Sequence, residues 1–198
     1  MKWIRNKPTA KKYIVQSVVG AAVFAFVLIL DLVSKALTDG VHGLVVIPGF
    51  ISFSSVRNPG GAWSIFGGND VVMTIIMVFT FVFVAAALFF LYWPDGRKNM
   101  FFIVTLALLG SGALGNLVDR LAFGEVRDFL HFEFMNFPTF NVADVALVSG
   151  VIMLIVNIII WFVRSETAAR REKKAAEKRD ESVSDEQSGN GDDGGEKK

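Results

Sequence analysis

Residues 13–37 read YIVQSVVGAAVFAFVLILDLVSKAL. A helix needs about twenty residues, at 1.5 Å of rise each, to cross a hydrocarbon core. This run is long enough, and its only charges, Asp31 and Lys35, stand near its far end. The basic segment in front, MKWIRNKPTAKK, has the look of an export signal. The apolar part is too long for one, and no small-x-small cleavage site follows, so an uncleaved span is expected. Three further runs have comparable length and character, approximately Val71–Trp93, Met100–Val118 and Val145–Val163. With 53% hydrophobic residues in 198 and a mean hydropathy of +0.48, the chain is too apolar for an ordinary soluble domain. The composition predicts an all-α membrane protein of four transmembrane helices.

Lysine and arginine near span ends set the orientation. The basic N-terminus, PDGRKN between the second and third runs, and RSETAARREKK after the fourth read as cytoplasmic. Both termini are then inside, and the loops at roughly 38–70 and 119–144 lie outside. Residues 1–12 form a basic cytoplasmic N-terminus, 13–163 one membrane domain, and 164–198 a charged, largely disordered cytoplasmic tail. That tail starts as a charge-rich helical pattern and ends in SVSDEQSGNGDDGGEKK, which offers nothing to bury. Its basic front could hold to anionic lipid. The outer loops are rich in β-branched and aromatic residues with partial alternation, as in Leu130, Phe132 and Phe134 against His131 and Glu133. They predict short extracytoplasmic strands or extended segments lying on the membrane surface.

No cysteine is present, so neither a thiol nucleophile nor a thiolate metal site is available. The two histidines, His42 and His131, fall in different loops, and no HExxH-like spacing occurs. The formal net charge of +1 says little about partners, and no nucleic acid is expected among them.

What remains is a layer of polar residues. Asp31 and Lys35 share one helix face and, taken alone, read as a self-neutralising pair that snorkels outward. Asn116, Asp119 and Arg120 close the third run like any polar helix end. Asn141 followed three residues later by Asp144 describes an ordinary helix N-terminus. Asn58 stands in RNPGGAW, which taken alone is a plain turn. Together, though, these residues put nearly all the membrane-associated charge at one depth, near the outer face. Charge in a membrane is costly and marks a functional site by default. Among the carboxylates, Asp119 beside Arg120 suits a permanently ionised supporting role. Asp128, with aromatic neighbours, suits a raised pKa provided Arg127 points to the other face. The residues alone do not decide between Asp119 and Asp128.

Five segments in order, DLVSK (31–35), RNPGGAWS (57–64), GALGNLVDR (112–120), VRDF (126–129) and FNVAD (140–144), resemble the motif set of the lipoprotein signal peptidase family, signal peptidase II. The resemblance covers roughly residues 13–163 and leaves out the tail. It implies a bacterial membrane aspartyl protease, multi-pass in the cytoplasmic membrane, with its active site near the extracytoplasmic face. It also implies that the protease cleaves signal peptides from diacylglyceryl-modified prolipoproteins just before the lipidated cysteine. Asp128 and Asp144 fall on the catalytic pair. Asp31, Lys35, Asn58, Gly60, Asn116, Asp119, Arg120, Asn141 and Ala143 fall on positions that shape or support the site. Ser34, Trp63 and His131 depart from residues common in the family, which bears on pocket shape at most. Neither metal nor cofactor is implied, and the expected partners are lipid-modified prolipoproteins and membrane lipids around a monomer.

Two carboxylates sharing one proton supply both a base for water and an acid for the carbonyl, because like charges held close do not both ionise cheaply. Asp144, at a helix start, is the expected base, although the protons belong to the pair. Three rival readings remain. A transporter would place its polar residues near the bilayer midplane between repeats. A metal-dependent hydrolase lacks ligand spacing. A non-catalytic scaffold predicts that neither aspartate matters.

Overall fold

The computed structural model describes residues 10–59, 72, 75, 78–80, 82–86, 89 and 99–189. Gly60 and Trp63 lie outside the described residues, as does most of the Val71–Trp93 run. Those positions of the run that are described, 78–80 and 82–86 among them, are helical. Helix α1 spans Ala10–Thr38, strand β1 Leu44–Ile47 and β2 Ile51–Asn58. Helix α2 spans Met100–Phe123, β3 Val126–Phe132, and α3 Val142–Gly189. All three helices contain stretches long and apolar enough to cross a membrane: Tyr13–Thr38, Met100–Phe123 and Val142–Glu172. The protein is thus a mostly helical membrane protein carrying one small sheet.

Contacts divide the chain within α3, into units of residues 1–154 and 155–198. The second unit is the remainder of α3, apolar to Val163 and charged from Arg164 onward. The sheet and every residue of the candidate site belong to the first.

Helices α1 and α2 run side by side in the same direction. Asp31 sits against Gly115, and one turn further along each helix Lys35 sits against Asp119. Both helices therefore end at the sheet, an antiparallel ribbon in the order β1-β2-β3. The β1–β2 turn has Pro48 followed by Gly49 at φ +70°, with Phe50 N donating to Ile47 O at 3.0 Å. Proline second and a positive-φ glycine third is the sequence a type II turn requires. Helix α2 stops at Gly124, whose left-handed φ of 76° lets its N–H close on Arg120 O.

After β3 the chain loops out and returns at Phe140, which bridges to Leu130 and exchanges main-chain hydrogen bonds with Phe129 and Leu130 at 2.8–3.0 Å. That return delivers Asn141 and the start of α3 to the side of β3. Phe132 fixes the loop, with Phe140 and Phe137 rings 5.0 and 5.8 Å away. Beyond these, Phe50 stacks on Phe134 at 5.1 Å.

Candidate active site

Asp128 enters the site from β3. Its register partner is Val56, which makes Asn58, two residues along β2, a diagonal neighbour on the same face. Asn58 Nδ2 accordingly donates to Asp128 Oδ2 at 3.0 Å, and Asn141 Nδ2 donates to Oδ1 at 2.6 Å. Asp128 is only 3% exposed. Burial, reinforced by the charge of nearby Asp144, pushes its carboxyl up to about 6, against the pull of the two asparagine hydrogen bonds and of Lys35.

Asp144 enters from the first turn of α3 and closes a reciprocal cap. Its N–H donates to Asn141 Oδ1 at 2.9 Å, and its Oδ2 accepts from Asn141 N at 3.1 Å. This is the capping-box arrangement with Asn and Asp in the two roles. The plain helix-start reading is therefore satisfied at these residues. The other oxygen, Oδ1, accepts from Asn116 Nδ2 at 2.8 Å.

Behind the two carboxylates lies a buried charge cluster. Lys35 Nζ lies 2.8 Å from Asp31 Oδ2 and 3.4 Å from Asp119 Oδ2, with all three side chains at 0% exposure. Lys35 therefore does not snorkel. It points inward and donates to Asn116 Oδ1 at 3.0 Å. The partners of Asp119 are Lys35 and Arg127, not its sequence neighbour Arg120. Arg127 binds Asp119 through its main-chain N–H at 2.9 Å and its guanidinium at 2.7 Å, and it stacks 4.5 Å over the Phe123 ring. Arg127 thus lies away from Asp128, as strand alternation requires. Asp31 Oδ1 accepts from Ala143 N at 2.8 Å, fixing the α3 start from another helix. Desolvating several charges largely offsets their attraction, so what such a cluster supplies is direction more than stability.

Two residues on this path carried no expectation from the sequence. A Cβ on Gly115 would run into Asp31 Oδ2, and one on Gly112 would stand 2.5 Å from Ala143 O. Both glycines let α2 approach the α3 start, and their spacing of three, which puts them on one helix face, was the signal available. Of the expected site residues, Asp31, Lys35, Asn58, Asn116, Asp119, Asp128, Asn141, Ala143 and Asp144 form one connected network. Arg120 stands beside it, within electrostatic reach of Asp144, Asp128 and Asp119, with its buried Nε lacking a partner among the described residues.

The polar residues sit in the last turns of α1 and α2 and the first turn of α3, a single layer at one end of the helices. Asp128, Asp144, Asn58, Asn116 and Arg120 form the polar part of a cavity of about 930 Å³. Its other walls are largely apolar and include Phe79, Phe83, Phe132, Val145 and Val148. Among the described residues no three His, Asp or Glu are placed to hold a metal.

Residues 23–160 match the family model described as signal peptidase (SPase) II. The lipoprotein signal peptidases of Staphylococcus aureus strains Newman and N315 are each 36% identical over 170 residues, covering 83% of this chain and 98% of theirs. Two solved structures described as a bacterial membrane enzyme, obtained by the in meso method at 2.3 and 1.9 Å, superpose with TM-scores of 0.65 and 0.61. They are 35% and 36% identical, each over 71% of this chain, and over 87% and 92% of their own lengths. By sequence along most of its length and by fold, this chain belongs to the signal peptidase II family of aspartic-type membrane peptidases.

Proposed function

We propose that this chain removes the signal peptide from diacylglyceryl-modified prolipoproteins, cutting just before the lipidated cysteine, with Asp128 and Asp144 as its catalytic pair. The observation that carries the reading is the convergence of these two carboxylates in one largely apolar cavity, each oxygen of each already engaged by a nitrogen donor. A cavity with polar groups at one place and apolar walls elsewhere suits a substrate that is part peptide and part lipid.

The chemistry follows from the pair. Asp128, held near 6 by burial and by the neighbouring charge, carries the proton, and Asp144 accepts one from water. As water oxygen bonds to the scissile carbonyl carbon, Asp144 takes the water proton and Asp128 gives its own to the carbonyl oxygen, leaving a gem-diol. The C–N bond then breaks with its electron pair going to nitrogen. Nitrogen takes the proton from Asp144, and one diol hydroxyl returns a proton to Asp128, restoring the pair. Asn58, Asn116 and Asn141 orient the two carboxylates, while Asp31, Lys35, Asp119 and Ala143 hold that layer in place. Arg120 lines the cavity, and the resemblance assigns Gly60 a supporting role.

A fourth span is inferred within residues 59–98. Helices α1 and α2 both end at the sheet, so the chain must return to the far end of α2 before entering it. That helix has 24 residues, or about 36 Å at 1.5 Å each. The distribution of lysine and arginine then puts both termini and residues 164–198 in the cytoplasm and the dyad near the extracytoplasmic face of the bacterial cytoplasmic membrane. Residues 13–163 act as one peptidase domain, working as a monomer among membrane lipids, and the charged tail is not needed for the chemistry.

The test is a gel-shift cleavage assay on a diacylglyceryl-modified prolipoprotein in detergent, with the wild type, Asp128→Asn and Asp144→Asn at equal folded yield. Cleavage by the wild type is expected, with each variant slower by at least about 10³-fold. Cleavage by all three would remove the pair from the reaction.

A further inference from the structure

Lys35 does not line the cavity, and no hydrogen bond or ion pair joins it directly to Asp128 or Asp144 among the described residues. It nevertheless stands one residue from the chemistry. Its ammonium has three N–H bonds and no lone pair. It donates to Asn116 Oδ1 at 3.0 Å and pairs by charge with Asp31 Oδ2 at 2.8 Å and Asp119 Oδ2 at 3.4 Å. Its side chain is fully buried, so water does not compete for the bond to Asn116.

The two ends of a carboxamide are alike in size and opposite in hydrogen-bonding sense. The end of Asn116 that meets Lys35 must be oxygen, because an ammonium accepts nothing. The other end is then NH₂, and it donates to Asp144 Oδ1 at 2.8 Å. Asn141 follows the same polarity. Its NH₂ donates to Asn116 Oδ1 at 3.1 Å and to Asp128 Oδ1 at 2.6 Å, while its oxygen accepts from Asp144 N. Turning Asn116 over would set its oxygen against the Asp144 carboxylate. Its NH₂ would then face two groups that only donate toward it, the Lys35 ammonium and the Asn141 amide.

We propose that Lys35 is a positioning residue for peptide hydrolysis, fixing the amide polarity of Asn116 and, through it, the hydrogen bond that holds Asp144 as proton acceptor. This rests on the reading of Asp128 and Asp144 as the catalytic pair. Lys35 then acts in series with Asn116, and the consequence falls on the chemical step and not on substrate binding.

The experiment is a mutant cycle in the full chain, read on diacylglyceryl-modified prolipoprotein. Lys35→Met removes the donors at matched length, and Asp31→Asn in the same protein keeps the buried charge balanced while leaving an oxygen for Ala143 N. With Asp31→Asn alone as the reference, adding Lys35→Met is expected to lower kcat by about 10- to 100-fold with KM within about threefold. In an Asn116→Ala background the same addition should change kcat by less than about threefold, since the polarity it controls is gone. Multiplicative losses in that background, an unchanged kcat, or an effect confined to KM would overturn the role. Lys35→Gln with Asp31→Asn is the second variant, read by the same cycle. If both fail to fold while Asp31→Asn folds, Lys35 is structural and the proposal is wrong. Cleavage by Asp144→Asn would sink the catalytic pair itself, whereas an inactive Asp144→Asn with multiplicative losses removes only the role of Lys35.

Discussion

Asp128 holds its proton to about 6, so the folded chain stays protonated there after the unfolded chain, near 3.8, has ionised. The native state therefore binds more protons than the unfolded state between those values, and linkage makes stability fall as pH rises through that window and level off above it. The window is about two pH units wide, at roughly 1.4 kcal/mol per unit, which bounds the loss at about 3 kcal/mol. Thermal unfolding in detergent from pH 4 to 8 should show this decline in the wild type. Asp128→Asn should flatten it, and a slope unchanged in that variant would assign the proton elsewhere. The substitution does not recover the full penalty, because an amide offers one oxygen to the two donors, Asn58 and Asn141, that now share the carboxylate. At this scale the sequence left Asp119 and Asp128 unresolved for a physical reason. Each stands beside an arginine in the chain, and only the ladder register, with Arg57 opposite Arg127, turns Arg127 to the face where Asp119 can take it. A strand whose partner carries a bulge between Phe53 and Val56 does not disclose its register in advance.

Apolar length made the helices legible, and β-branched and aromatic alternation made the extended loops legible. That β1, β2 and β3 form one sheet, and that α1 and α2 run parallel into it, depends on contacts remote in sequence. The start of α3 was legible in a different way, since Asn141 and Asp144 do form the local cap that FNVAD suggests. Helix spacing is set by Gly112 and Gly115. On Gly112 a methyl would stand 2.5 Å from Ala143 O and 2.9 Å from Leu147 Cγ, and main-chain oxygen yields only if the helices part. Gly112→Ala is expected to cost about 1–3 kcal/mol. Because Asn116 and Asp144 face each other across the same contact, it should also cut cleavage more than its loss of folded protein explains. Gly115→Ala meets the Asp31 carboxylate instead and should loosen the α3 start through Ala143 N. Thermal unfolding and kcat measured together on both variants check this. Wild-type values for Gly112→Ala would mean that α2 and α3 are not so close in the membrane.

The molecule as a whole carries its charge network at one end of its helices, so its function depends on which side of the membrane that end faces. Two independent lines support the proposed topology. Basic residues cluster in the N-terminus, in PDGRKN and after Val163, which supports the proposal that those segments lie inside. The parallel α1 and α2, both feeding one sheet, support the proposed crossing between residues 59 and 98 without reference to charge. With no cysteine in the chain, single introduced cysteines report side directly. Met135→Cys, at a position 44% exposed beyond β3, should react with a membrane-impermeant maleimide on intact spheroplasts. Arg97→Cys in the PDGRKN segment and Arg171→Cys in the charged part of α3 should react only after permeabilisation. Labelling of Arg97→Cys from outside would remove the fourth span. Labelling of Arg171→Cys from outside, with Met135→Cys protected, would invert the molecule and place the dyad on the side where a translocated, lipid-modified precursor does not present its scissile bond.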